Sequence, residues 1–199
     1  MTDYSDFLIH AWRNVARALV RAGVAAGLEL RPAVLAKSAK RRCMAQLKQL
    51  TRLIRRLIFL MALGMEVAPP DVREGRNWFR DEDTKPAPGR RSLRIAPAPS
   101  GPLMASLWSA SGPSRPEAGP VAAAPVLARW HLLIDALRHR ERRAKCLART
   151  LLRWQAAGDA KPYVPPMARM HRMPCELGLI AAALPMLLAR AMQDWPDTG

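Results

Sequence analysis

Methionine, histidine and cysteine crowd together once in this chain, in "PPMARMHRMPCE" at residues 165–176. Met167, Met170 and Met173 recur every third position, with His171 and Cys175 beside them. Thioether, imidazole and thiolate are the donor set of a soft ion such as Cu(I). Arg169 and Arg172 bring positive charge to the same place, and methionine fills irregular apolar gaps as well as it ligates. A proline-bounded packing turn is the simpler reading, and no metal or other cofactor is assigned. A zinc site drawn from Cys43, Cys146, Cys175 and a histidine lacks the closely spaced cysteine pairs that make such a site specific. Three cysteines, far apart and odd in number, argue against a disulfide framework and suit a reducing compartment such as the cytoplasm.

Catalytic chemistry finds no foothold. His10, His131, His139 and His171 have no spacing that builds a triad with a nucleophile and an acid. His139 lies within "RHRERR", an ordinary surface setting for a histidine. Glycine-rich phosphate loops and dinucleotide fingerprints are missing from the sequence. The expectation is a protein without enzymatic activity and without a small-molecule substrate.

Arginine is the residue type left to explain. Thirty-two basic residues face sixteen acidic ones, a net charge of +16. The excess sits at the two ends: residues 1–63 hold twelve basic and three acidic groups, residues 126–199 twelve and six, and the middle is nearly balanced. Such a field attracts anions of any kind. In "RRCMAQLKQLTRLIRRLIFLM", residues 41–61, basic and apolar residues alternate with no acid. Helical projection separates them. Cys43, Leu47, Leu50, Ile54, Leu57 and Met61 follow one another at steps of four and three, the seam of a helix packed along another helix. Lys37, Arg41, Lys48, Arg52, Arg55 and Arg56 fall on the other side. After Leu57 the polar face fades, since Phe59, Leu60 and Leu63 occupy it, and that end of the helix wants cover.

The elements that would position these residues are helical. A first helix is expected over about 4–30, with Phe7, Ala11, Val15, Ala18 and Ala22 on one side and Arg13, Arg17 and Arg21 in a stripe on another. The second runs from about 33 to 64. A third is expected over about 126–157, where Val126, Trp130, Leu133, Leu137, Ala144, Leu147, Leu151 and Trp154 repeat the seam. Arg138, Arg142, Lys145, Arg149 and Arg153 line its other face. Arg140 falls in the seam itself, where a charge must reach out, pair, or mark a change of packing. The last segment, "CELGLIAAALPMLLARAM", is apolar almost all round and reads as a buried helix kinked at Pro185, or as one docked on another subunit. Between these regions, residues 65–125 hold eleven of the eighteen prolines and read as a linker carrying two docking segments, "NWFRDED" and "PLMASLW". There Asp81, Glu82 and Asp83 are candidates to lie over a basic face.

The fold class expected is therefore mostly α, a small bundle of amphipathic helices with a long Pro-rich irregular insertion between them. Residues 1–64 form the N-terminal helical region, 65–125 the linker and 126–199 the C-terminal region, with the two ends packed as one domain. Leu57–Ala68 and Leu177–Leu188 are shorter than the roughly 20 residues a membrane span requires, and the opening "MTDYSDFLIH" has acids where a secretory signal carries positive charge.

Three partners are compatible with this pattern. The leading one is protein: a helical interaction or assembly subunit, or a homo-oligomer, packing through the seam residues and meeting acidic surfaces with its arginines. The second is nucleic acid held by its backbone without sequence reading, because no recognition-helix, finger or RNA-binding-sheet pattern is present. The third is an anionic membrane surface, for which the apolar end after Leu57 would be the inserted part.

Overall fold

A computed structural model describes residues 4–67, 119–164, 173–193 and 195. The sequence between 68 and 118, with both candidate docking segments and the acids at 81–83, lies outside the described residues, as do Met167, Met170 and His171. The described chain is a compact bundle of five helices: α1 (Ser5–Ala25), α2 (Lys37–Leu63), α3 (Ala124–Arg138), α4 (Arg140–Ala156) and α5 (Cys175–Ala191). None of them is long and apolar enough to cross a membrane.

α2 packs against all four other helices. Its seam supplies the reason: Leu47, Ile54 and Leu57 are fully buried, and Cys43 and Leu50 nearly so. Where the polar face fades, the helix sinks further. Leu57, Ile58, Phe59 and Leu60 are consecutive and all buried, so that turn is covered on every side. Each such side chain contributes about 1.5–3 kcal/mol when taken out of water. Thr51 shares the buried surface because its hydroxyl donates back to the Leu47 carbonyl at 2.6 Å.

The first helix is shorter than its pattern. It ends at Ala25, and Gly27 turns the chain with φ +61° into a 3-10 turn over Leu28–Leu30, the conformation that favours glycine after a helix. The turn carries Leu28 into the core and leaves Leu30 88% exposed. Residues 33–36, expected to open the second helix, are extended instead. Val34–Leu35 (β1) pairs antiparallel with Val121–Ala122 (β2), Val34 opposite Ala122 and Leu35 opposite Val121. The Ala123 amide adds a bond to the Ala33 carbonyl at 3.0 Å. This ladder pins the entrances of α2 and α3 together, a pairing between residues 86 and 88 positions apart that no local pattern announces.

The expected helix at 126–157 is two helices. The chain breaks at His139, with φ −107° and ψ 27°, inside the charged run 138–143. A straight helix would drive Arg140 into the core between Leu137 and Ala144. The break turns it outward instead, with its guanidinium 5.7 Å from the centre of the Trp12 ring, a favourable cation–π distance. Asp135 spans the joint: its carboxylate accepts from Arg143 Nη2 at 2.6 Å, and His139 Nδ1 lies 3.0 Å from it.

α5 is helical through Pro185 and buries one face only. Leu177, Ile180, Ala181, Leu184 and Leu188 enter the core, while Leu179 and Met186 are 68% and 70% exposed. Within this chain the helix is buried on the side that packs on α1 and α2, so of the two expectations, a buried helix or one docked on another subunit, the first holds for one face only. Beyond it, buried Trp195 donates its indole N–H to the Asp159 carbonyl at 3.1 Å and ties the end of the chain to the loop after α4.

α1 meets α3 at a point of close approach. A Cβ on Gly23 would stand 2.7–2.8 Å from the Trp130 ring, and that ring is held by its own N–H bond to the Leu19 carbonyl at 3.2 Å. Alanine favours a helix over glycine by about 0.8–1.0 kcal/mol, but overpacking here costs about 1–3 kcal/mol and endangers the indole bond. Gly23→Ala should therefore lower stability by about 1–2 kcal/mol, seen as a lower urea midpoint with a shifted tryptophan emission.

Candidate anion-binding and partner surfaces

The residues expected to pack against a partner are largely used within this chain. Cys43, Leu47, Leu50, Ile54, Leu57, Leu133, Leu147 and Leu151 are buried, and Met61, Trp130, Leu137 and Trp154 are partly buried against the same core. Their cover is the chain's own helices, so an outside partner meets other side chains. The apolar end of α2 is likewise enclosed and offers no insertion surface.

The basic residues divide. Lys37, Arg41, Lys48 and Arg52 on α2 are exposed, as are Arg138 at the end of α3 and Arg142, Lys145, Arg149 and Arg153 on α4. Arg55 and Arg56 are not: both are half-buried on the flank of α2. Across the α2–α3 packing, the charge of Arg129, a residue the helical projection did not single out, acts on Arg55. Arg129 Nη2 reaches the Thr51 hydroxyl at 3.4 Å, a long contact, and the Nε atoms of Arg55 and Arg129 are buried without a hydrogen-bond partner. Burial, and then the charge of Arg129, push the Arg55 pKa below its ordinary value. Burial followed by Arg52 does the same to Arg56.

No carboxylate among the described residues balances the Arg55–Arg129 pair; the ion pairs between described residues both involve Asp135. Two like charges held together in a partly dry place raise each other's energy. An anion bound near both would relieve that repulsion and accept from their guanidinium donors. The signal available in sequence was weak. Arg129 lies between Val126 and Leu133 on a mostly apolar helix, and only the packing of α3 on α2 sets it beside Arg55.

The remaining candidates do not assemble into a reactive centre. Cys43 is buried on α2 with its Sγ 3.8 Å from the Ala22 carbonyl, and burial raises its thiol pKa. Cys146 and Cys175 are exposed on α4 and α5. Among the described residues no three His, Cys, Asp or Glu side chains are grouped to hold a metal ion. Of the Met/His/Cys cluster, Met173 packs against the core and Cys175 lies at the surface. His10 bonds the buried Asn14 amide at 2.8 Å and His131 packs beside the Trp130 ring. An open groove of about 460 Å³ between α1 and the start of α4 is lined mainly by Leu8, Ile9, Trp12, Arg13, Met61 and Arg140, with Ser5 and Glu141 also in its lining and no histidine or cysteine there.

Two tests follow from this geometry. The Arg143 hydrogen bond is the main cause that holds the Asp135 carboxyl below the usual carboxylate range, helped by the charges of Arg143 and His139. Its contribution is whole above the ordinary carboxylate pKa and is lost as pH falls through the depressed value. Because the carboxylate is half exposed, salt screens the effect. Asp135→Asn should flatten the acid limb of a plot of urea midpoint against pH and leave helix content at neutral pH unchanged. Thiol labelling of the folded chain should modify Cys146 quickly and Cys43 only on unfolding, since a buried thiol of raised pKa is both shielded and protonated. No family model, no curated protein and no solved structure matches this chain.

Proposed function

We propose that this chain is a helical interaction or assembly subunit, without chemical turnover of its own, that uses its arginine faces to hold an acidic protein surface. The observation that carries the reading is the Arg55–Arg129 pair: two half-buried arginines on the packed helices α2 and α3, each with a buried Nε that lacks a hydrogen-bond partner, the charge of one acting on the other, and no ion pair to either among the described residues. The exposed arginines and lysines of α2 and α4 surround such a contact with long-range attraction. In this reading the part of the Pro-rich stretch that precedes β2 is, from its composition, a linker between the helical regions. In the same reading the protein works in a reducing compartment such as the cytoplasm, which its three free cysteines suit.

Protein is favoured over a phosphate backbone by the outer strip of α1. There Arg13, Arg17 and Arg21 alternate with Ile9, Val20 and Val24, each of the last three more than half exposed. A polyphosphate would satisfy the arginines and leave the aliphatic side chains wet, whereas an acidic protein surface has apolar area for both.

The double variant Arg55→Gln/Arg129→Gln tests the assignment. With the like-charge repulsion gone, its thermal midpoint in the absence of ligand should equal or exceed that of the parent. Its affinity for a glutamate-rich peptide should fall about tenfold or more, since each charge-assisted bond is worth roughly 1.5–3 kcal/mol. Unchanged peptide affinity would remove the pair from the site. Tight, steeply salt-dependent binding to a nucleic acid duplex with no binding to the peptide would replace the reading with a backbone-led nucleic-acid one, and selective binding to anionic vesicles with a membrane-surface one.

A further inference from the structure

We infer that the outer face of α5 is a self-association surface on which a second copy of this chain docks antiparallel. Counting 100° per residue, Cys175, Leu179, Ala182 and Met186 project within one arc, opposite the buried Leu177, Ile180, Leu184 and Leu188. The arc is apolar and open to water: Leu179 is 68% and Met186 70% exposed, and Ala182, Pro185 and Ala189 are exposed around them. From Leu177 to Ala189 the helix carries no charged residue. On a chain of net charge +16, this is the helix face on which two identical molecules approach with least repulsion.

The charges at its ends choose the occupant. Glu176 and Arg190, both exposed, stand seven residues either side of Ala183 and project on the same flank of the arc. A two-fold axis through the middle of two antiparallel helices maps each flank onto the same flank of the other. It therefore sets Glu176 against Arg190 of the partner subunit, twice over. The same axis lays Leu179 on Met186 of the partner subunit, with the small Ala182 and Ala183 at the crossing to let the backbones come close. A parallel arrangement would oppose Glu176 to its own copy. One helix per subunit is a small interface, so the dimer is a reversible one.

The inference rests on the assembly reading only in making the chain its own partner. The arginine pair takes no part, and Arg55→Gln/Arg129→Gln should dimerise as the parent does, so failure of either idea leaves the other standing. The test is sedimentation equilibrium of the full chain over a concentration series reaching about 100 µM, at low salt. The parent should approach twice the 22.1 kDa chain mass. Leu179→Lys, on an exposed position, should remain monomeric with unchanged circular dichroism. Glu176→Arg alone should weaken dimerisation about tenfold or more, because it sets like charges opposite each other. Glu176→Arg/Arg190→Glu should restore it to within about threefold of the parent. The exchange separates this role from a local one: if the two charges only complement the helix dipole, the double variant is the worst of the series. A parent that stays monomeric, a Leu179→Lys chain that dimerises normally, or a double variant no better than the single one overturns the inference. So does a monomeric parent that binds phosphatidylserine vesicles and loses that binding with Leu179→Lys.

Discussion

Leu57, Ile58, Phe59 and Leu60 point in four directions around one turn of α2, and all four are buried. A helix can be dry all round only where neighbours stand on every side, and α2 is the helix that α1, α3, α4 and α5 all pack against. The requirement arises because the basic face of α2 stops at Arg56. Toward its beginning the same helix is an ordinary amphipathic one, with Lys37, Arg41, Lys48 and Arg52 in water. Arg55 and Arg56 lie at the transition, and their half-buried state follows from that place: one turn further on, nothing polar is left at the surface.

The remaining irregularities answer to the same centre. Helices that gather about one turn cannot all be straight and long. The break at His139 lets α3 and α4 each present apolar residues to α2 while Arg140 is released to the Trp12 ring. Gly27 ends the first helix so that Leu28 can turn inward. The β1–β2 ladder is two residues long and adds little stability of its own, yet it brings the starts of α2 and α3 to one place. From there Arg129 is delivered to Arg55. The charge pair is a by-product of packing, and among the described residues no counter-charge accompanies it. Among the described residues the ion pairs are those of Asp135, which joins the two halves of a broken helix.

Much of the core was legible in the amino-acid order. Steps of three and four identified Cys43, Leu47, Leu50, Ile54 and Leu57 as buried, and Leu133, Leu147 and Leu151 likewise, since burial on a helix is a matter of angle and angle follows from spacing. The exposure of Lys48, Arg52, Arg142 and Arg149 was legible for the same reason. Arg140 in a seam was a local conflict, and the chain resolves it by breaking beside that residue.

What spacing determines is which side of a helix is dry; it says nothing of what makes it dry. The seam of α2 has the period of a protein–protein contact, and only the tertiary structure shows that the same chain fills it. The segment 175–191 is apolar enough to be buried all round, but its neighbours α1 and α2 reach one side, leaving Leu179 and Met186 in water. Arg55 and Arg129 are 74 residues apart and become a pair through the packing of two helices. Periodicity is a property of one element and is written in the sequence. The pairing of elements depends on where the chain turns between them, and here those turns, at Gly27, at His139 and in the β1–β2 ladder, decided which charges meet and which apolar face is left open.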